Sequence, residues 1–160
     1  MYPSILGPLY IVVSDDEVEH VFMGNEDWAT FYSLHEDELV IEISPLMHKV
    51  IKQLDEYFEG GRKTFDLPLA EKGTAFQKSV WKVLRNIPYG ETISYLDVAK
   101  QINNPKSVRA VGQANRANPL PIIVPCHRVI GKNKGLTGYA GNKVDLKEKL
   151  LILEGVMPKQ

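Results

Sequence analysis

The 160 residues carry 19 basic and 20 acidic side chains and four histidines, for a formal net charge of −1, and 44% of them are hydrophobic. That is enough chain and apolar surface for one large domain, or two small ones, with a real core. A single cysteine excludes an internal disulfide and any cysteine-rich zinc site, and no apolar run approaches the about 20 residues that a membrane-spanning helix needs.

The near-neutral total conceals two halves of opposite sign. Residues 1–70 hold fourteen acidic side chains against four basic ones (Lys49, Lys52, Arg62, Lys63), a net −10; residues 71–160 hold fifteen basic against six acidic, a net +9. The asymmetry predicts two units with different tasks, 1–70 and 71–160, the second facing a polyanion such as nucleic acid. Two solvated surfaces of opposite sign that merely attract each other would give the same count. Met1-Tyr2-Pro3-Ser4 shows no basic segment followed by an apolar core, so no secretory leader is expected, and with one cysteine an intracellular, reducing compartment is the default, the cytoplasm or, in a eukaryote, the nucleus.

In the first half, Tyr10-Ile11-Val12-Val13 and Val18-Glu19-His20-Val21-Phe22 read as strands around the turn Ser14-Asp15-Asp16-Glu17. Leu39-Val40-Ile41-Glu42-Ile43 reads as another. Ser44-Pro45 supplies a helix N-cap with proline at the first helical position. Met47, Val50, Ile51, Leu54 and Phe58 follow at helical spacing, and Gly60-Gly61 stops the run. Thr64 to Leu67 is expected to add a strand, completing a small α+β unit. His20, His35 and His48 have no cysteine partners and no close pair, so neither a metal site nor any other cofactor is expected.

Pro68 to Gly73 reads as the connector. Thr74 with Gln77 forms a capping box for a helix bearing Phe76, Val80, Trp81, Val83 and Leu84, and Pro88-Tyr89-Gly90 turns the chain. Ser94 with Asp97 caps a second helix from Tyr95 to about Ile102. Asn103-Asn104-Pro105 ends it and starts a third, which Asn118-Pro119 stops. Two short helices across a tight turn fit a helix-turn-helix, and an ordinary helical hairpin fits equally well by shape.

The third helix distinguishes the two. At about 100° per residue, Val108, Val111 and Asn115 share a side suited to packing, while Ala110, Gln113 and Ala117 lie opposite, flanked by Arg109 and Arg116. A helix that reads base edges in the major groove normally carries long polar side chains there. Small residues instead allow close approach to a groove only about 6 Å wide, and an arginine on such a helix can fill the gap left by an extruded base. Minor-groove binding with little sequence preference is therefore predicted.

Pro125-Cys126-His127-Arg128-Val129-Ile130 holds the lone cysteine, after the apolar run Ile122-Ile123-Val124. A free thiol of pKa about 8.5 is only a few per cent ionised at neutral pH, and a fall to about 6 raises the thiolate fraction roughly thirty-fold. Adjacent His127 and Arg128 are candidates for lowering it, although an isolated cysteine more often serves as a small buried hydrophobe. Gly131, Gly135, Gly138 and Gly141 make a turned loop containing Tyr139. Asn142 with Asp145 caps a last helix bearing Val144, Leu146, Leu150, Leu151 and Leu153. Glu154 at its end opposes the helix dipole unless it has a cationic partner, for which His127 is a candidate.

The chain resembles the O6-alkylguanine-DNA alkyltransferases, also called methylated-DNA–protein-cysteine methyltransferases. The resemblance rests on Ile93-Ser94-Tyr95, Arg109-Ala110-Val111-Gly112-Gln113-Ala114-Asn115, Asn118-Pro119, Pro125-Cys126-His127-Arg128-Val129-Ile130, Gly138-Tyr139-Ala140-Gly141 and Leu150-Leu151-Ile152-Leu153-Glu154-Gly155. It covers the second half in order; the first matches in outline at Tyr57-Phe58 and Phe65-Asp66-Leu67-Pro68.

The resemblance implies an α+β protein, with a small ribonuclease-H-like domain of structural role followed by a mainly helical domain with a winged-helix-like helix-turn-helix. It implies a monomer that binds double-stranded DNA containing O6-alkylguanine, rotates the damaged base out and takes its alkyl group irreversibly. On that basis Cys126 is the acceptor, His127 the water-assisted base and Glu154 the carboxylate orienting it. Asn118 supports the turn, and Tyr95 assists phosphate rotation and protonates the departing guanine. Arg109 fills the stack, with Ala110, Gln113, Ala114 and Arg116 also on the DNA side. The Val129 backbone and the Tyr139–Ala140 loop line the base pocket. The product is a thioether, which thiol exchange does not cleave, so one alkyl group per molecule is expected. Alanine at 140, where some relatives have serine, and Asn142, where a second glycine is common, leave open the range of alkyl groups and alkylated thymine. A non-catalytic alkylated-base-binding protein and a Cys-His-Glu thiol hydrolase are the competing classes.

Overall fold

The computed structural model describes residues 1–131 and 144–156, and the chain divides into two compact units, Met1–Ala70 and Glu71–Gln160. Both are mixed structures, the first a small sheet with helices and the second mainly helical.

In the first unit, β1 (Tyr2–Ser4), β2 (Gly7–Val13) and β3 (Val18–Met23) form an antiparallel sheet in the order β1-β2-β3. Their inward residues Leu9, Val18, Val21 and Met23 are buried with Val50, Leu54 and Tyr57 of α2 (Pro45–Phe58). Ser44 Oγ accepts from the Met47 amide at 3.1 Å with Pro45 at the first helical position, and Gly60 leaves the helix at φ +87°. Tyr2 ties β1 to α2: it stacks on Phe58 and its hydroxyl donates to Asp55 Oδ1 at 2.6 Å.

Sequence patterning misses a helix here and supplies two strands that do not form. Helix α1 (Asn25–His35) has no buried residue and meets the sheet through rings: Trp28 stacks on Tyr10 of β2, and Phe31 packs against His20 and Phe22 of β3. Residues 39–43 form no strand among the described residues, and Val40, Ile41 and Ile43 are exposed. Residues 64–67 are also not a strand, because the buried Gln53 amide satisfies the Asp66 backbone in both directions. It donates to the Asp66 carbonyl at 3.0 Å and accepts from its amide at 2.9 Å.

In the second unit, α3 (Ala75–Arg85) starts on the Thr74–Gln77 capping box and α4 (Tyr95–Gln101) on that of Ser94 and Asp97. Asn103 at φ +60° turns the chain, asparagine being among the residues that tolerate the left-handed region, and α5 (Val108–Arg116) follows. Helix α5 begins three residues beyond Pro105. Trp81 pins α3 to α5 by donating from Nε1 to the Ala114 carbonyl at 2.9 Å. β4 (Ile93–Ser94) pairs in parallel with β5 (Val129–Ile130), tying the entry to α4 alongside the exit from the cysteine turn. Helix α6 (Val144–Leu153) ends at Glu154, with Gly155 at φ +79°.

Candidate active site

The cysteine segment is built on one asparagine. Asn118 Nδ2 donates to the Val124 carbonyl at 2.9 Å, and its Oδ1 accepts from the Leu120 amide at 3.0 Å. The clamp closes a loop in which every residue from 120 to 129 is buried. Within it Ile122 sits at φ +77°, a conformation that costs a β-branched residue about 1–3 kcal/mol and persists only where its surroundings enforce it. Cys126, His127 and Arg128 then form a single 3-10 turn.

Cys126 is 2% exposed, and burial pushes its thiol up to about 11. A hydrogen bond from the Asn118 side chain and the charge of Lys147 act in the opposite direction. The expectation that His127 and Arg128 lower the thiol pKa is therefore corrected: the two cationic candidates next in sequence face elsewhere. Arg128 donates from Nε to Glu154 Oε1 at 2.8 Å, from Nη2 to Glu154 Oε2 at 3.0 Å, and from Nη1 to the Ile87 carbonyl at 2.7 Å.

His127 is fully buried, and its Nε2 lies 2.7 Å from Glu154 Oε2. Burial lowers its pKa; Glu154 opposes that, while Arg128 and Lys147 reinforce it. The ring is thus neutral at pH 7, with the proton on Nε2 facing the carboxylate and the Nδ1 lone pair as the basic position. Glu154, 5% exposed, has its cationic partner in Arg128, and His127 is its neutral donor.

Lys147 was not singled out by the sequence pattern. It is fully buried in α6, donates from Nζ to the Val129 carbonyl at 2.5 Å and lies 5.8 Å from the centre of the Tyr95 ring. Burial pulls its pKa down to about 8, leaving it mostly charged at neutral pH. The signal was its spacing: Lys147, Leu150, Leu151 and Glu154 recur at i, i+3, i+4 and i+7, which puts two charges on an apolar stripe. Lys147→Met removes the one cation among the described residues that favours the Cys126 thiolate. The pH profile of Cys126 labelling by iodoacetamide should move upward, and alkyl transfer should slow by roughly tenfold for each unit of the shift. An unmoved profile removes Lys147 from the chemistry.

Tyr95, at the first position of α4, is half-buried. Burial raises its pKa and Cys126 adds to this, while Arg116 and a hydrogen bond with Asn115 lower it. The phenol therefore keeps its proton at neutral pH. On α5, Arg109, Ala110, Gln113 and Arg116 are exposed. Ala114 is not on that side: it is 2% exposed, and its carbonyl is taken by Trp81, so the expectation that it faces DNA is corrected. Val108, expected to pack, is 38% exposed, and Ala114 takes its place beside Val111 and Asn115 on the buried face. Val129 is buried at the start of β5. Tyr139 and Ala140 lie outside the described residues, as do the glycines at 135, 138 and 141 and the Asn142 cap. No helix of the described residues is long and apolar enough to cross a membrane.

Residues 1–70 match the family description "6-O-methylguanine DNA methyltransferase, ribonuclease-like domain", and residues 75–156 match the corresponding "DNA binding domain". The chain is 50% identical over 155 residues to the constitutive methylated-DNA–protein-cysteine methyltransferase of Bacillus subtilis, covering 97% of this chain and 93% of that protein. It is 46% identical to the methylated-DNA–protein-cysteine methyltransferase of Methanosarcina acetivorans, with 97% and 96% covered. Among solved structures, the O6-methylguanine methyltransferase of Mycobacterium tuberculosis superimposes with a TM-score of 0.83 at 40% identity, over 99% of this chain and 93% of that one. The M. tuberculosis protein in complex with DNA superimposes with a TM-score of 0.76 at 39% identity, over 93% and 87%.

Proposed function

This chain belongs to the O6-methylguanine DNA methyltransferase family, and we propose that Cys126 is the atom's-length destination of the alkyl group it removes from DNA. Its activity is that of a methylated-DNA–protein-cysteine methyltransferase, a direct reversal of DNA damage. It binds DNA, as the M. tuberculosis relative does. The observation that carries the assignment to Cys126 is a lone buried sulfur with His127, neutral and hydrogen-bonded to Glu154, next in the chain and the Tyr95 phenol beside it.

The reaction runs as an exchange. As the base arrives, the Cys126 proton passes through a bridging water to His127 Nδ1, while Glu154 holds the ring by its other nitrogen. Sulfur then attacks the alkyl carbon, and the carbon–oxygen bond breaks with its electron pair moving into the guanine. An anionic guanine leaves poorly, so Tyr95 supplies a proton as that bond breaks, and the proton held by His127 restores the balance. The thiol hydrogen and the alkyl group have changed places, leaving guanine and a thioether that no second cysteine is present to challenge. Each molecule acts once.

Residues 71–160 are assigned the DNA-binding and alkyl-accepting work, and 1–70 a structural role. The exposed side of α5 approaches the minor groove, with Arg109 occupying the space of the extruded base and Arg116, Gln113 and Ala110 beside it. Extrusion costs a few kcal/mol, less for a poorly paired lesion, and phosphate contacts offset it. Asn118 maintains the turn, and the Val129 backbone with Tyr139 and Ala140 lines the pocket. The protein works as a monomer in the cytoplasm, without membrane association. Incubation with duplex DNA containing O6-methylguanine, followed by intact and peptide masses, should show one methyl on the Cys126 peptide and never more than one equivalent. Binding without transfer would instead favour a non-catalytic base-binding protein, and repeated turnover of an acyl substrate a thiol hydrolase.

A further inference from the structure

Arg128 is a buried charge with no step of its own in the transfer reaction. It is 6% exposed and takes both oxygens of Glu154, Nε donating to Oε1 at 2.8 Å and Nη2 to Oε2 at 3.0 Å. Oε2 is also the oxygen that lies 2.7 Å from His127 Nε2. The turn after α3 fixes the guanidinium from behind. The Ile87 carbonyl accepts from Nη1 at 2.7 Å, and Cζ lies 5.6 Å from the centre of the Tyr89 ring. The Tyr89 hydroxyl in turn donates to the carbonyl of Leu153, the residue before Glu154, at 3.4 Å.

Charge balance gives this arrangement its consequence. A buried carboxylate and imidazole with no other charge beside them are jointly neutral when the ring is protonated, and burial penalises net charge. The guanidinium reverses the preference. Arginine, glutamate and a neutral ring sum to zero, whereas a protonated ring leaves an unmatched buried cation. The charged and titratable groups around His127 are Glu154 and Lys147 from α6 and its end, Arg128 and Cys126 from its own turn, and Tyr89 behind the guanidinium. Burial is the largest cause of the lowered His127 pKa, and Arg128 adds more to it than Lys147 does. The Lys147 ammonium bonds the Val129 carbonyl, so the direct counter-charge on Glu154 is Arg128.

Resting on the alkyl-transfer reading, we propose that Arg128 is a positioning residue for the proton transfer: bound to both Glu154 oxygens, its charge keeps His127 neutral at rest, ready to take the thiol proton and to release it once the carbon–oxygen bond has broken. Two readouts test this on the full chain. Ring-nitrogen NMR shifts of His127, followed from about pH 5 to 9, report its charge without any transfer. Single-turnover methyl transfer from duplex containing O6-methylguanine, at saturating protein, reports the acid limb of the rate. In the wild type the ring should be neutral at pH 7, with the limb below about 6.5, the ordinary histidine value. Arg128→Met should make the ring cationic at pH 7 and move the limb to about 8. Transfer at pH 7 then falls about tenfold, a loss relative to wild type that shrinks as pH rises. Arg128→Lys, which keeps a charge there without the planar fork, should hold the ring neutral. An Arg128→Met profile lowered evenly at every pH overturns the proposal, because the arginine then only braces the turn. A cationic ring in the wild type at pH 7 overturns it without any substitution, so a variant that fails to fold does not shield it. Absence of methyl on Cys126 in the wild type at every pH is a different failure, that of the transfer reading, and leaves the ring titration standing.

Discussion

Cys126→Ser should abolish alkyl transfer while leaving the protein folded and still able to bind lesion-bearing duplex. The substitution keeps the size of a buried side chain in a turn whose shape is set by Asn118 and by backbone bonds, the Cys126 amide donating to the Val124 carbonyl at 2.8 Å. What it changes is the proton. The Cys126 thiol, pushed up to about 11, still has its proton within reach of a neutral imidazole once Lys147 and Asn118 favour the anion. A hydroxyl holds its proton far more tightly, and nothing in this site lowers it enough. Attack at a saturated carbon also rewards a polarisable sulfur over an oxygen. The expected loss is at least on the order of 10⁴-fold, the scale on which removal of a nucleophile acts elsewhere. Peptide masses and residual lesion, read from the same incubation, check it. Undiminished repair by Cys126→Ser would leave the mechanism without its acceptor, and a methyl on another peptide would name a different one.

Local rules made part of this fold legible. Ser44 before Pro45, and the pairs Thr74–Gln77 and Ser94–Asp97, are short-range chemistry, and each helix starts where its cap places it. The failures are of another kind. Helix α1 carries Trp28, Phe31, Tyr32 and His35 at i, i+3, i+4 and i+7, a stripe of rings that is apolar in contact yet semi-polar by hydropathy. Residues 39–43 have strand-forming side chains, but such propensity describes fitness for a pleated, half-covered surface, and here Val40, Ile41 and Ile43 stand exposed with no strand among the described residues to pair them. Residues 64–67 lose their ladder to the side chain of Gln53, a contact thirteen residues away.

The site divides along the same line. The structure brings together Cys126 with Tyr95 and His127 with Glu154, residues that the sequence singles out, whereas their electrostatics are not legible there. Adjacency in sequence suggested that Arg128 acts on the sulfur; in a 3-10 turn successive side chains diverge, and its guanidinium goes to Glu154 and Ile87. The charge that does act on the thiol comes from Lys147, twenty-one positions away on α6. Ala114 and Val108 exchange faces because α5 begins at Val108 and is pinned through the Ala114 carbonyl, a bond that helical phase alone does not reveal.

Glu154→Leu should lower the stability of the folded protein by about 3–5 kcal/mol, because it leaves the Arg128 charge buried without its counter-ion. Arg128 donates twice to this carboxylate and His127 once, and Arg128 is itself held over the Tyr89 ring and cannot turn out to water without losing the Ile87 bond. A guanidinium chloride titration should show a lower midpoint with an unchanged slope. Transfer should fall on the order of 10²–10⁴-fold, the usual worth of a positioned acid–base group, since the His127 ring loses the acceptor that fixes its tautomer. Stability loss and catalytic loss are separable. Arg128→Met combined with Glu154→Leu removes both charges, and replacing a buried ion pair by apolar side chains is often neutral, so stability should return while transfer does not. Acid supplies an independent check. The folded protein holds His127 below its ordinary pKa, so the unfolded chain binds the extra proton first, and wild-type stability should fall as pH drops below about 6.5. His127→Asn should flatten that part of the profile. If the double variant regains transfer along with stability, Glu154 is a strut for Arg128, and His127 works without it.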